Sequence, residues 1–323
     1  MIKKNVAVSV DIGGTNTVIG FVDEQGNYLC GDIIPTQAEE DASKFVLKLT
    51  NRIKSLQVEL EDDISLAGIG IAAPSCNYWT GIIESPSNLK WGTVNFVDMM
   101  KEYFDIEVAL INDANAAAIG EMHFGAARGL RNFVVLTLGT GLGCGIVVDG
   151  RVLHGEQGFA GELGHTIVIP NGRECGCGKM GCLETYVSAS GLKRNVFELM
   201  SSTLCESKLR DYTFNNLSSH EISKLALKGD LLALKAFEYT GEVLGQALVN
   251  VVYNFNPQAI ILFGGLADSD SLLLQPTLEF FNRELREVYK GKVDILKSEL
   301  QSGKAAVLGA ASLIFNKMDG VPI

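Results

Sequence analysis

Val6–Gly26 reads VAVSVDIGGTNTVIGFVDEQG: a β-branched run, a Gly-Gly-Thr turn, and a second β-branched run closed by Asp23 and Gly26. β-branched residues fit a pleated strand and glycine supplies the tight turn, so the stretch predicts a hairpin. The pattern returns at Asn132–Arg151, NFVVLTLGTGLGCGIVVDGR, where an apolar strand again meets a Gly/Thr turn and a second strand ends in Asp-Gly. The two stretches share a design more than letters, which points to internal duplication of one supersecondary unit. Around them, strands alternate with helices. From Ala42 onward Phe45, Val46, Leu49, Ile53, Leu56 and Leu60 recur at helical spacing with Lys44, Lys48, Arg52 and Lys54 between them. Strands are expected at 66–71, 108–111 and 259–263, and helices at 97–103, from 114, at 183–200, 219–253 and 272–289, and from 304. That alternation gives an α/β fold, most simply two lobes with a cleft between them.

Of the 323 residues, 47% are apolar and 20% charged, enough to bury a sizeable core without disulfides. The 27 basic and 38 acidic residues leave a net charge of -11, and no long Lys/Arg run occurs, which argues against nucleic acid as a partner. The N-terminal apolar run is short and meets Asp11 without a small-residue cleavage site, so no signal peptide is expected. Val243–Ala267 is free of charge, but Gln246, Asn250, Asn254, Asn256, Pro257 and Gln258 interrupt it, and a buried helix followed by a strand fits better than a membrane span. Seven cysteines is an odd number. Cys175, Cys177 and Cys182 crowd into one Gly-rich loop while Cys30, Cys76, Cys144 and Cys205 lie scattered, a pattern of a reducing, cytoplasmic compartment and of a metal rather than a disulfide framework.

Asp11-Ile-Gly-Gly-Thr15 and Gly139-Thr-Gly-Leu-Gly143 suit phosphate, because bare backbone N–H groups approach the oxygens and threonine adds a donor. Neither is a Walker loop, and neither opens a helix as a dinucleotide fingerprint does. An ordinary hairpin turn is the plain alternative for either loop alone. Asn112-Asp113 falls where the strand at 108–111 meets an Ala-rich helix. A carboxylate at that junction either caps the helix or serves as a general base toward an attacking alcohol. His165, Cys175, Cys177 and Cys182 have the spacing H-x9-C-x-C-x4-C, a complete tetrahedral set for structural zinc with no position left open for catalysis. Glu162 and Glu184 flank that cluster and could accept hydrogen bonds from sugar hydroxyls.

These motifs, with PSNLKW at 86–91, INDANAAAIGE at 111–121, GFAGELGH at 158–165, CGCGKMGCLE at 175–184 and LFGGLA at 262–267, make the chain similar to the ROK family of sugar kinases and sugar-responsive repressors. The resemblance implies a two-lobed, actin-like (ribonuclease-H-like) hexokinase fold, with ATP and sugar meeting in the cleft. It implies a smaller lobe from residues 1–115 plus 303–323, and a larger lobe, 116–302, carrying the zinc loop and adenosine turn. Asp113 then resembles the catalytic base, and Asn88, Asn112, Glu162, His165 and Glu184 resemble sugar contacts, with His165 using its two ring nitrogens separately. Gly13, Gly14, Thr15, Thr140 and Gly141 resemble phosphate loops, Asp11 a group helping to place Mg²⁺ carried by ATP, and Gly264 and Gly265 the adenosine turn. The metal would hold the sugar side, with the ATP turns supported elsewhere.

One departure is Ala73-Pro74-Ser75, where members commonly show Pro-Gly. Repressors of the family carry a helix-turn-helix before the first phosphate loop, whereas Asp11 arrives after ten residues here, so a kinase is expected over a sugar-sensing regulator. The glucokinase branch is the nearest likeness, with N-acetylmannosamine, N-acetylglucosamine or fructose as alternative substrates and a homodimer as the common assembly.

Overall fold

The computed structural model describes residues 4–60, 64–86, 88–301 and 303–318. The first hairpin forms as the pattern predicts: β1 (Lys4–Ile12) pairs antiparallel with β2 (Asn16–Asp23), and β2 with β3 (Tyr28–Pro35). After α1 (Ala42–Val58), β4 (Ile64–Ala73) returns parallel to β1. The Pro/Ser/Asn-rich stretch after β4 and the residues just beyond it form a small sheet, β5 (Cys76–Asn77), β6 (Ile82–Glu84) and β7 (Thr93–Asn95). Then follow α2 (Phe96–Lys101), β8 (Val108–Asn112), parallel to β4, and α3 (Asp113–Phe124).

The second hairpin is β9 (Phe133–Leu138) and β10 (Leu142–Val148), extended by β11 (Arg151–Val152). Helices α4 (Ala189–Ser202), α5 (Ser219–Ala226) and α6 (Leu231–Phe255) precede β12 (Ala259–Phe263), α7 (Ser271–Glu284), β13 (Asp294–Lys297) and α8 (Ala305–Met318). The two large sheets have the orders β3-β2-β1-β4-β8 and β11-β10-β9-β12-β13, one topology used twice. That repetition is the structural form of the duplication seen in the sequence, and it belongs to the actin-like class.

Two expected helices begin or break differently. The 219–253 pattern splits because Gly229 takes a positive φ and Asp230 caps α6, accepting the N–H groups of Leu232 and Ala233. The 183–200 pattern starts as a 3-10 turn at Leu183–Thr185, and the α-helix begins only after Ser188, whose hydroxyl accepts the Gly191 N–H. The apolar stretch at 243–267 is, as expected, a buried helix and a strand, and no helix among the described residues is long and apolar enough to cross a membrane.

The chain divides into two compact units. One comprises residues 1–131, 145–161 and 299–323; the other comprises 132–144 and 162–298. The boundary expected at 115/116 would cut through α3, which packs along α8 and so stays with the first unit. In that unit Val6, Val8, Val10 and Ile12 alternate onto the face covered by Phe45, Val46, Leu49, Ile53 and Leu56 of α1. The opposite face is built for close backbone approach. The Ser9 hydroxyl donates to the Val307 carbonyl, and a Cβ on Gly70 would overlap the Ala310 carbonyl. Likewise a Cβ on Gly309 would overlap the Ala116 carbonyl, and one on Gly120 that of Ala305. In the second unit β12 lies between β9 and β13 and is parallel to both, with Gly241 and Gly245 of α6 pressed against Pro276, Thr277 and Phe280 of α7.

Gly309→Ala should therefore destabilise the chain by about 1–3 kcal/mol, since backbone rather than a flexible side chain must move to admit the methyl. Urea unfolding of the purified variant measures this; an unchanged midpoint would contradict the tight α3–α8 contact.

Candidate active site

In the first unit, three parallel strands end side by side. Asp11 closes β1 opposite Ala72 of β4, and Ala73 pairs with Asn112 at the end of β8. The carboxyl ends of parallel strands are where side chains stand clear of the sheet on a rigid base. The cap of α3 is Asn112, whose Oδ1 accepts the N–H groups of Ala114 and Asn115. Asp113 is the helix's first residue, and its Oδ1 accepts the Ala114 N–H. Asn112 does most of the capping, so the bland role weighed for Asp113 is already filled. Solvent reaches the Asp113 side chain, yet the protein around it weakens its hydration and raises its pKa. Burial, and then the charge of Asp113, push Asp11 up to about 7.

The Gly13–Thr15 turn leaves Asp11 on this base. Its backbone closes through Gly13 N–H to the Asn16 carbonyl at 3.0 Å. Two buried threonines hold it in place. Thr36 donates its hydroxyl to the Gly13 carbonyl at 2.7 Å and its N–H to the Thr15 carbonyl at 2.8 Å, while Thr17 meets the Thr36 hydroxyl at 2.9 Å. Nothing in the motif pointed to Thr36; its place one residue beyond β3 is the signal that was available. Asn88 lies against the same turn, 3.2 Å from where a Cβ on Gly14 would sit. Its loop is anchored by Trp91, buried with its ring 4.8 Å from Phe45 and 5.8 Å from Phe96.

In the second unit, the Gly139–Gly141 turn and the Gly264–Gly265 turn follow neighbouring parallel strands, Phe263 pairing with Thr137. Gly264 has φ +104° and packs on Leu138, whose carbonyl accepts the Leu266 N–H at 3.0 Å. Thr140 and Gly265 are exposed. In the same unit, one loop gathers the cysteines. The ligand atoms of His165, Cys175, Cys177 and Cys182 all lie within 4.8 Å of one another. His165 turns Nδ1 toward Cys175 Sγ at 3.6 Å and Nε2 toward Glu162 at 3.8 Å, so its two nitrogens do face different groups. The loop is cemented by Arg173, which donates to Glu198 and to the Thr185 carbonyl and lies 4.3 Å over the Tyr186 ring. Glu184 is not confined to the sugar side as the sequence led us to expect: its Oε2 accepts the Leu142 N–H of the Gly/Thr turn at 2.9 Å.

A profile of the ROK family matches residues 7–317. The chain belongs to the ROK family. It is 35% identical over 278 residues to a glucokinase of Halalkalibacterium halodurans, covering 85% of this chain and 84% of that one. It is 27% identical to a xylose repressor of Caldicellulosiruptor bescii, over 98% of this chain and 79% of the repressor. Among solved structures, a ROK family glucokinase from Streptomyces griseus in complex with glucose and AMPPNP superposes with a TM-score of 0.81. It is 31% identical, over 95% of this chain and 98% of that one.

The Pro-Ser departure has a clear local form. Ser75 sits at φ +48°, the left-handed region that glycine enters freely and a Cβ resists. The backbone thus keeps the turn a glycine would make. Ser75→Gly should stabilise the chain by about 0.5–1 kcal/mol and leave the strand ends where they are. Urea unfolding checks the sign; a clear loss of stability would show that the serine hydroxyl matters more than the strain.

Proposed function

We propose that this chain transfers the γ-phosphoryl group of ATP to a hydroxyl of a hexose, and that the hexose is glucose. What carries the reading is Asp113: a solvent-reached carboxylate at a rigid strand-to-helix junction whose capping duty is done by Asn112. The likeness to glucokinases over most of the chain supports the substrate class and the choice of sugar. Asp113 takes the proton of the attacking hydroxyl as its oxygen bonds to the γ-phosphorus. The bond to the β–γ bridging oxygen breaks, and ADP leaves with that electron pair. The raised pKa of Asp113 makes it a better proton acceptor than an ordinary aspartate, provided it is ionised when the sugar arrives.

Asn88, Asn112, Glu162, His165 and Glu184 receive the remaining sugar hydroxyls. The turn of Gly13, Gly14 and Thr15, which the Gly13 N–H closes on the Asn16 carbonyl, and the turn of Thr140 and Gly141 offer backbone and hydroxyl donors to the phosphates, and Gly264 and Gly265 the turn beside adenosine. Asp11 would help to place Mg²⁺ carried in by ATP, an ion that would supply neutralisation of the phosphate charge. The smaller-lobe residues thus include the base and first turn, and the larger-lobe residues the zinc loop and adenosine turn. A cytoplasmic homodimer is the form we expect, open to test by light scattering.

His165, Cys175, Cys177 and Cys182 hold one structural zinc in this reading. The donor set is complete, and its spacing fits: tetrahedral Zn–S bonds of about 2.3 Å put sulfurs about 3.8 Å apart, and Cys177 Sγ is 3.7 Å from Cys182 Sγ. Bound zinc supplies a fixed loop rather than a reactive site.

Coupled assay across hexoses and N-acetylhexosamines tests the substrate, with N-acetylmannosamine, N-acetylglucosamine and fructose the competing outcomes. Sugar binding without turnover would favour a sugar sensor, the reading that the repressor likeness keeps in view. Asp113→Asn should keep sugar binding and lower kcat by about 10²-fold or more; near-normal turnover of the folded variant would refute the base. Elemental analysis should find one zinc per chain in the wild type and less in Cys177→Ser, and a zinc-free wild type isolated without chelator would reject the site.

A further inference from the structure

We infer that Glu184 is a positioning residue for the nucleotide's second phosphate turn, and that the Cys3His cluster governs nucleotide affinity through it. The inference rests on the kinase reading but adds a link that reading does not contain.

The link is a short strap, residues 182–189. At one end stands Cys182, fully buried, a member of the metal cluster. Two residues on, Glu184 Oε2 accepts the Leu142 N–H at 2.9 Å, and its Oε1 lies 3.7 Å from Cys175 Sγ. One carboxylate therefore touches the Gly/Thr turn with one oxygen and the cluster with the other. Its approach is close enough that a Cβ on Gly141 would overlap Oε2, which gives Gly141 a structural reason beyond phosphate access. At the strap's other end the Ala189 N–H donates to the Gly139 carbonyl at 2.8 Å. The turn is thus gripped on both sides of Thr140 by one segment.

The strap itself is stiff. Leu183 N–H donates to the Thr166 carbonyl, the Thr185 hydroxyl to the Cys182 carbonyl, and the Ser188 hydroxyl to the Glu184 carbonyl. Cluster and turn are joined by one half-buried carboxylate, which meets the turn's backbone N–H directly. An ion that fixes Cys175 and Cys182 fixes the positions from which Glu184 reaches Leu142. Metal loss should then loosen the ATP side as well as the sugar side.

The test separates acceptor from mere side-chain bulk. Glu184→Gln keeps an amide oxygen for the Leu142 N–H, whereas Glu184→Ala removes it. Calorimetry with a non-hydrolysable ATP analogue and Mg²⁺ should show the alanine variant weakened about 10-fold or more and the glutamine variant within about 3-fold of wild type. Zinc content by elemental analysis should stay at one per chain in both. Hydrogen exchange at Leu142 should quicken in the alanine variant and in chelator-treated wild type. Alanine at wild-type nucleotide affinity, glutamine as weak as alanine, or Leu142 exchange unmoved by zinc removal would each overturn the inference. Should the alanine variant not fold, the glutamine variant and the chelated wild type still decide it. A wild type that binds no nucleotide analogue defeats the kinase reading instead, and Leu142 exchange then tests the strap alone.

Discussion

Register between parallel strands is the constraint on which the chemistry hangs. Asp11 opposite Ala72, and Asn112 opposite Ala73, are consequences of how β1, β4 and β8 pair. A slip of one residue would turn Val6, Val8, Val10 and Ile12 away from α1 and bring Ala7, Ser9 and Asp11 into the apolar layer. The burial of those side chains thus fixes Asp11 beside Asp113, and the like charges of that pair follow from a hydrophobic decision made elsewhere. The second unit uses the same device, since Phe263 opposite Thr137 is what makes two glycine turns neighbours.

Glycine serves two separate ends here. In the turns it admits a close partner: a Cβ on Gly13 would crowd the Asn16 carbonyl, and one on Gly141 would overlap the Glu184 carboxylate. In β4, α3 and α8 it lets backbones meet: Gly70, Gly120 and Gly309 each occupy a place where a methyl would overlap a carbonyl oxygen. The second use is as demanding as the first, because α8, near the end of the chain, must lie against the sheet on which Asp11 stands and against α3, which begins at Asp113.

Periodicity made the hairpins, α1 and the strand-to-helix junction at Asn112 legible, because each is decided by neighbours within a dozen residues. The Cys3His set was legible for a related reason: its spacing is local and its chemistry narrow. What the sequence hid is long-range or subtle. The strands β5–β7 are two or three residues long and sit among Pro, Ser and Asn, too short for alternation to register. The break before α6 depends on one Gly-Asp pair inside an otherwise helical pattern. The cap of α3 is the amide of Asn112 rather than a carboxylate alone, and Asp113 adds only a bond from the Ala114 N–H. Thr36 and Glu184 hold the two glycine turns through hydrogen bonds spanning 23 and 42 residues, which no local pattern announces.

The last of those bonds gives the proposed metal site a place in the architecture. Residues 166–181 contribute little to a core: Ile167 is 61% exposed, Met180 is 47% exposed, and only two isolated β-bridges cross the segment. A loop with so little apolar burial needs another source of order, and a tetrahedral ion on the four clustered side chains would supply it. Arg173 alone cannot, since its pairing with Glu198 fixes the loop's flank while Cys177 at its tip stays exposed. Order at the cluster would pass, through Cys182 and the two residues that follow, to a turn rich in glycine. A glycine turn keeps one shape only when something else holds it still, and here the Glu184 carboxylate, seated against the Cys3His cluster, holds it.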